Sequence, residues 1–366
     1  MGYIASIGLG IPPFHLEQNE VKNLIKDVFT TSPHKTQKLL PVFDNAKINS
    51  RQFVVDEKWI KQDHTFAEKN AKYIHDAVDL SVKAIDHCLK NVSLLQANIP
   101  YEAVDLIVFV SSTGIATPSL DAHLLNERPF REDVIRMPLW GLGCAGGAMG
   151  LARAYEWIRL FPEKIALVVC CELCSLTFQK QDTSTSNIVG TALFGDGVAA
   201  TLLVGTDSPY RDHLLPMKLV IRKTSSFTKK NSINVMGWNV TANGLEVIFS
   251  KRIPKLVKSL WKDHIFNFLE ENNQSLSDIG AFIAHPGGRK VLEEMEEVLF
   301  SNQNLLNYSY QVLQKHGNMS SATVMYVLRK WLLEASKQSL HKKKGILCAL
   351  GPGFSSELLL TEWTGE

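Results

Sequence analysis

Short, uninterrupted apolar runs alternate along the chain with longer segments in which apolar positions recur at the helical period. Asp105-Leu-Ile-Val-Phe-Val-Ser-Ser, Ile165 to Cys171, Val198 to Val204, Ala281-Phe-Ile-Ala and Gly345 to Leu350 are short and apolar throughout, which predicts buried strands. The stretches 66–91, 147–160, 253–270, 288–300 and 319–337 carry the 3.6-residue period and predict helices. Strands alternating with helices mean an α/β protein whose sheets are covered on their faces. The alternation is weakest over 206–237, rich in Ser, Thr, Lys, Asn and Asp, so a boundary is expected near 206, dividing the chain into 1–205 and 206–366. The basic run His341-Lys-Lys-Lys is expected to end a helix, where cations suit the dipole.

At 366 residues the chain exceeds the roughly 250–300 at which a single core stops growing, which favours two packed halves. A 45% hydrophobic and 21% charged composition supports a large core. The 39 basic and 37 acidic residues nearly cancel and no basic block interleaves with aromatics, which excludes a nucleic-acid surface and points to a small-molecule partner. No apolar run reaches the ~18–20 residues of a membrane span. The first residues, MGYIASIGLG, lack a charged signal-peptide region and read as a first strand; a cytoplasmic protein is expected.

The cysteines Cys88, Cys144, Cys170, Cys171, Cys174 and Cys348 are too few and too irregular for a disulfide framework. Cys171 and Cys174 form a Cys-x-x-Cys, but it ends a predicted buried strand and no second ligand pair follows, so neither metal nor redox chemistry is expected. Cys144 differs. It sits in Gly141-Leu-Gly-Cys-Ala-Gly-Gly ahead of a predicted helix, where the dipole and free N–H groups should lower the thiol pKa, and its small neighbours let a substrate carbonyl approach the backbone. A structural thiol in a tight turn is the competing reading. His285 follows the strand Ala281–Ala284, at the carboxyl end where α/β sheets present ligand-contacting groups. Asn318, between His316-Gly317 and Met-Ser-Ser-Ala, reads on its own as a helix cap. Taken together, Cys, His and Asn can activate a nucleophile and stabilise an oxyanion, as acyl transfer through a thioester requires. Papain-like hydrolases use the same chain order, but their Cys-Gly-Ser-Cys-Trp motif is missing and Cys144 lies deep in the chain.

Gly143-Cys-Ala-Gly-Gly, Ala192-Leu-Phe-Gly-Asp-Gly, Ala284-His-Pro-Gly-Gly, His316-Gly-Asn-Met-Ser-Ser-Ala and Gly351-Pro-Gly-Phe resemble the type III polyketide synthases of the chalcone synthase superfamily. The blocks stand in the family's order and spacing over almost the whole chain. The resemblance implies the thiolase-like fold, two pseudo-duplicated α/β halves in a five-layered αβαβα arrangement. It also implies a homodimer that uses CoA thioesters without cofactor, metal or acyl carrier protein. In that reading Cys144 attacks an acyl-CoA and holds the growing chain. His285 and Asn318 hydrogen-bond the thioester carbonyl and the enolate that malonyl-CoA forms on losing carbon dioxide. Phe194 packs between the CoA passage and the cavity, Gly351, Pro352 and Gly353 shape the cavity floor, and Thr177 joins the substrate-binding positions.

The departures from the plant pattern bear on the substrate. Val247 stands where the family keeps a second phenylalanine, Thr117 where plant enzymes have a methionine that reaches across the dimer, and Leu350 in place of a phenylalanine. These changes predict a less aromatic, more open cavity, and the chain resembles the bacterial alkylpyrone synthases, which implies a long-chain fatty acyl-CoA starter, malonyl-CoA extension and release as alkylpyrones. Lys47 and Arg51 lie near the family's basic CoA contacts, with solvated charges as the other reading. Ketoacyl-ACP synthase III-like and 3-hydroxy-3-methylglutaryl-CoA synthase-like condensing enzymes share the trio, and a non-catalytic acyl-CoA-binding scaffold could share the fold.

Overall fold

The computed structural model describes residues 2–29, 33–300, 305–335 and 344–365. Thirteen strands are present among them: β1 (Gly2–Gly10), β2 (Phe14–Glu17), β3 (Ser50–Phe53), β4 (Leu106–Ser111), β5 (Ile135–Trp140), β6 (Ile165–Leu173), β7 (Asp196–Gly205), β8 (Lys218–Thr228), β9 (Met236–Thr241), β10 (Gly244–Phe249), β11 (Ile279–Ala284), β12 (Lys344–Gly351) and β13 (Ser355–Thr364). Six helices bear on the site: α1 (Phe66–Leu89), α2 (Gly146–Leu160), α3 (Thr185–Leu193), α4 (Lys262–Glu271), α5 (Arg289–Val298) and α6 (Thr323–Ala335).

Nine strands form one mixed sheet in the order β11-β12-β13-β8-β1-β7-β6-β4-β5; β2 with β3, and β9 with β10, form separate antiparallel pairs. The strands of the first half meet those of the second at the β1–β8 seam, where Tyr3 pairs with Val220 and Ile4 with Leu219.

The layering follows from strand alternation, because successive side chains leave opposite faces of a sheet. In β4, Ile107 and Phe109 join a cluster under α1, which contributes Tyr73, Ala77, Leu80 and Ile85; Leu106, Val108 and Val110 turn the other way. That second cluster takes in α2 and α6, and beyond them Ala281 and Ile283 of β11 and Leu347 and Ala349 of β12. The alternate residues Phe282, Ala284, Ile346 and Cys348 face a third cluster with Ile265 and Phe268 of α4 and Leu292 and Met295 of α5. Three helical layers thus enclose two sheet layers, the five-layered αβαβα arrangement of the thiolase-like fold. At about 1.5–3 kcal/mol for each large apolar side chain removed from water, the three clusters supply the bulk of the driving force for folding.

Two expectations change. The polar stretch 206–237 contains β8, whose first four residues are buried while its second half is largely solvent-facing. Only that buried half resembles a strand in its hydrophobicity. The helix expected over 253–270 is interrupted by a π turn at Val257–Trp261. The helix ending expected at His341–Lys343, and the last two residues of the helix expected over 319–337, lie outside the described residues.

Candidate active site

Cys144 occupies a single 3₁₀ turn, Gly143–Ala145, that runs directly into α2. Asn318 precedes a second 3₁₀ turn, Ser320–Ala322, that runs into α6. Since α2 and α6 share the central layer, their N-termini meet at one end of it. They approach closely because position 147 is glycine: a Cβ there would lie 2.3 Å from the carbonyl oxygen of Ser321. As a result both Oδ1 and Nδ2 of Asn318 lie 3.9 Å from Cys144 Sγ.

The Asn318 carboxamide is fixed from two sides. Its Oδ1 accepts from the Ser320 N–H at 2.8 Å, and its Nδ2 donates to the Gly287 carbonyl at 3.1 Å. The cap position of the Ser320–Ala322 turn falls on Met319, not Asn318, whose side chain instead closes a local turn onto the Ser320 N–H beside the sulfur. His285 continues the β11–β12 ladder by one residue, its N–H donating to the Cys348 carbonyl at 2.8 Å. Its imidazole is 3% exposed, and neither ring nitrogen has a hydrogen-bond partner. Buried polar groups are normally paired, so an imidazole orphaned just before Gly287, whose carbonyl bonds Asn318, is a group that a ligand would complete.

Burial governs the electrostatics and overturns the expected low thiol pKa. Cys144 retains partial exposure as a residue, and the other five cysteines are buried. Its sulfur is nonetheless enclosed: desolvation pushes the thiol up to about 12, Glu172 adds to the rise, and contacts with Ser320 and Asn318 oppose it. Desolvation likewise takes His285 down to about 3. Burial thus favours the neutral form of both groups. Glu172, fully buried and raised to about 7 by the same cause, accepts from Ser112 and from Ser321 Oγ at 2.7 Å.

Gly351 and Pro352, expected to shape the cavity floor, pack against the turn that carries Cys144. Gly351 closes β12 where a Cβ would stand 2.8 Å from the Ala145 nitrogen, Pro352 packs against Gly143, and Gly353 has φ +120°. Phe194 follows α3 and forms a bridge with Asn318. Phe194, Val247 and Thr177 line one apolar slot of about 50 Å³ with Val21, Ile25 and Phe178. The slot is narrower than the open cavity expected from Val247, because Phe53, Phe178 and Phe194 fill its walls. Thr177 is buried, its hydroxyl donating to the Cys174 carbonyl at 2.8 Å. Thr117 is exposed, in a loop with Ile115.

A larger cleft of about 720 Å³ opens against Gly287 and Gly288, the residues that follow His285, and is lined by Lys47, Lys251, Arg289 and Lys290. Lys47 is exposed there. Arg51 is not: it is completely buried, its Nη1 donating to the carbonyls of Thr191 and Phe194 at 2.6 and 2.7 Å. Both readings of Arg51 from sequence, CoA contact and solvated charge, are corrected, because it lies in β3, whose four residues are all buried. Three further residues escaped notice. Glu172 and Ser320 sit inside apolar or already assigned motifs. Trp238, in β9 opposite Val247, brings its ring to 5.9 Å from that of Phe194 and returns aromatic character that Val247 removes; the pairing of β9 with β10 was its only signal. Among the described residues no group of three or more His, Cys, Asp and Glu is arranged to hold a metal, and no helix is long and apolar enough to cross a membrane.

Comparison with known proteins agrees with this geometry. Residues 2–208 match the family profile for chalcone and stilbene synthases, N-terminal domain, and residues 223–363 match the C-terminal domain of the same family. A chalcone synthase-like protein of Bacillus subtilis is 45% identical over 99% of both chains. A 1,3,6,8-tetrahydroxynaphthalene synthase of Streptomyces peucetius is 33% identical over 98% of this chain and 93% of its own. The crystal structure of the 1,3,6,8-tetrahydroxynaphthalene synthase of Streptomyces coelicolor superimposes with a TM-score of 0.90, at 25% identity, over the full length of both chains. The chain belongs to the chalcone and stilbene synthase family, and is a type III polyketide synthase, an acyltransferase of the CoA-thioester-condensing class.

Proposed function

We propose that this type III polyketide synthase loads a fatty acyl group from its CoA thioester onto Cys144, extends it with malonyl-CoA and releases an alkylpyrone. The observation that carries the reading is the Asn318 carboxamide, 3.9 Å from the Cys144 sulfur and bonded to the Gly287 carbonyl on the loop that follows the orphaned His285 imidazole, beside a cation-lined cleft. Lys47, Lys251, Arg289 and Lys290 suit the phosphates of CoA, with the pantetheine directed past Gly287 and Gly288.

As the acyl carbonyl is attacked, the Cys144 proton passes to His285, the sulfur–carbon bond forms and the CoA thiolate leaves with a proton. Malonyl-CoA then takes the vacated cleft. Loss of carbon dioxide leaves an enolate whose oxygen accepts from His285 and from Asn318 Nδ2, each donor worth about 10²–10³ in rate. The enolate carbon attacks the acyl-Cys144 carbonyl, the sulfur–carbon bond breaks, and the thiolate released is reprotonated by a proton drawn from solvent. The scheme draws on CoA thioesters alone, without cofactor, metal or acyl carrier protein, in a cytoplasmic enzyme. The second subunit of a homodimer would cover the exposed Ile115, Ile135 and Trp140.

An alkyl starter is favoured by the apolar slot and by the α-pyrone-synthesis polyketide synthase-like protein of Mycobacterium tuberculosis, 27% identical over 98% of this chain and 90% of its own. One observation favours a second reading, in which malonyl-CoA is both starter and extender. The slot, at about 50 Å³, admits a long chain only when its walls move. Mass spectrometry of products from malonyl-CoA with and without a series of acyl-CoAs separates the two. The fatty-acyl reading expects alkylpyrones and turnover that rises with starter length. Product from malonyl-CoA alone, unchanged by added acyl-CoA, would sink it. Malonyl-ACP in place of malonyl-CoA should give nothing; product from it would point to a ketoacyl-ACP synthase III-like enzyme.

A further inference from the structure

Arg51 is the residue most at odds with its exposed-looking sequence context, and its surroundings explain why the fold keeps it. It is fully buried, and its Nε and Nη2 find no partner. Its Nη1 donates to two carbonyls, those of Thr191 at 2.6 Å and Phe194 at 2.7 Å, at the C-terminal end of α3. The last carbonyls of a helix lack intrahelical donors and attract a cation. The aliphatic stem fills the space left by two glycines on different segments. A Cβ at Gly195 would lie 3.5 Å from the Arg51 Cβ, and one at Gly317, 2.7 Å from its Cδ.

Those two glycines flank the site. Gly195 follows Phe194, Gly317 precedes Asn318, and the two segments are tied by the Asn318 N–H to the Leu193 carbonyl at 2.8 Å and the Gly195 N–H to the Asn318 carbonyl at 3.0 Å. Arg51 therefore backs both strands of the bridge that carries the Asn318 backbone. Asp196, which is electrostatically coupled to Arg51, ties the same region to Val54 and Ser175 through its carboxylate.

We propose that Arg51 is a positioning residue: by holding the Phe194–Asn318 bridge from behind, it sets the Asn318 carboxamide against Cys144. The inference rests on the functional reading above, in which Asn318 stabilises the malonyl-derived enolate. A side chain that aims another group acts only through that group, so its effect vanishes when the group is removed.

The test is a double-mutant cycle on the full-length enzyme, reading malonyl-CoA decarboxylation for Arg51→Gln and Arg51→Lys, each alone and combined with Asn318→Ala. Alone, Arg51→Gln should lower decarboxylation by about tenfold or more, as expected for a misplaced catalytic group. Arg51→Lys, which keeps a cation beside Asp196, should lose less. In the Asn318→Ala background neither should reduce the residual rate by more than about twofold. If Arg51→Gln does not fold, Arg51→Lys carries the same cycle. Equal fold-losses in the two backgrounds would overturn the proposal, since Arg51 would then act on the fold at large. Wild-type decarboxylation by both Arg51 variants, with Asn318→Ala impaired, overturns the positioning role alone. Wild-type decarboxylation by Asn318→Ala itself overturns the functional reading with it.

Discussion

At the scale of single residues the site is a set of groups kept uncharged by burial. Cys144→Ala should abolish product formation in an assay of acyl-CoA with malonyl-CoA; residual product would exclude a covalent acyl-enzyme. Asn318→Ala should slow malonyl-CoA decarboxylation by about 10²–10³, the usual value of one oxyanion donor. Glu172 yields a prediction about stability. Its carboxyl, raised from 4.5 to about 7 by burial, keeps its proton in the folded state over a range of pH in which the unfolded chain has released it. The folded state thus binds more protons between those values, and stability falls as pH rises through them, by about 3 kcal/mol in all. Glu172→Gln removes that dependence. Urea midpoints from pH 4.5 to 8 should fall more steeply for wild type than for the variant, and parallel curves would show that Glu172 does not titrate in this window.

At the scale of elements, the geometry depends on how closely turns pack. Gly351→Ala would press a methyl to 2.5 Å from the Ala145 Cβ and 2.8 Å from its nitrogen, backbone that has little room to retreat. The variant should lose about 1–3 kcal/mol, the usual cost of overpacking, and at least about tenfold in turnover through displacement of the Cys144 turn. Thermal melts and steady-state assays measure the two separately; full activity would place the turn and the β12 end farther apart than described. Here lies the boundary of what was legible in the sequence. Strands β4, β6, β7, β11 and β12 are continuous apolar runs and were visible, as were α1 and α2, because strands buried on both faces and amphipathic helices declare themselves locally. Cys144, His285 and Asn318 were found through glycine-rich motifs. The half-polar β8 was lost for want of a uniform pattern. Arg51 was misplaced because its burial is decided by Thr191, Phe194 and Gly317, residues 140 or more positions away, and no local signal carries that information. The thiol expectation fails for a related reason: a helix terminus is visible in sequence, whereas the burial that pushes the thiol up is not.

For the whole molecule, the proposed function seats CoA thioesters in the 720 Å³ cleft lined by Lys47, Lys251, Arg289 and Lys290. Replacing Lys47 and Lys251 together by Glu should raise KM for malonyl-CoA by about tenfold while leaving kcat nearly unchanged, the signature of uniform binding, and wild-type KM should rise with added salt. A fall in kcat with unchanged KM would remove the cleft from substrate binding. The apolar Ile115, Ile135 and Trp140 on the surface lead to a second expectation: light scattering in solution should give twice the monomer mass of 40.9 kDa, and Trp140→Lys should shift it toward the monomer.

The sulfur is contributed by the first half of the chain and the imidazole and carboxamide by the second, and they are brought into register by the helical layer both halves share. Neither portion alone owns a reaction. If the backbone were severed between residues 206 and 217, the fragments made separately should be inert. Produced together, they should recover turnover only to the extent that α2 and α6 dock, making catalysis a direct gauge of that reassembly.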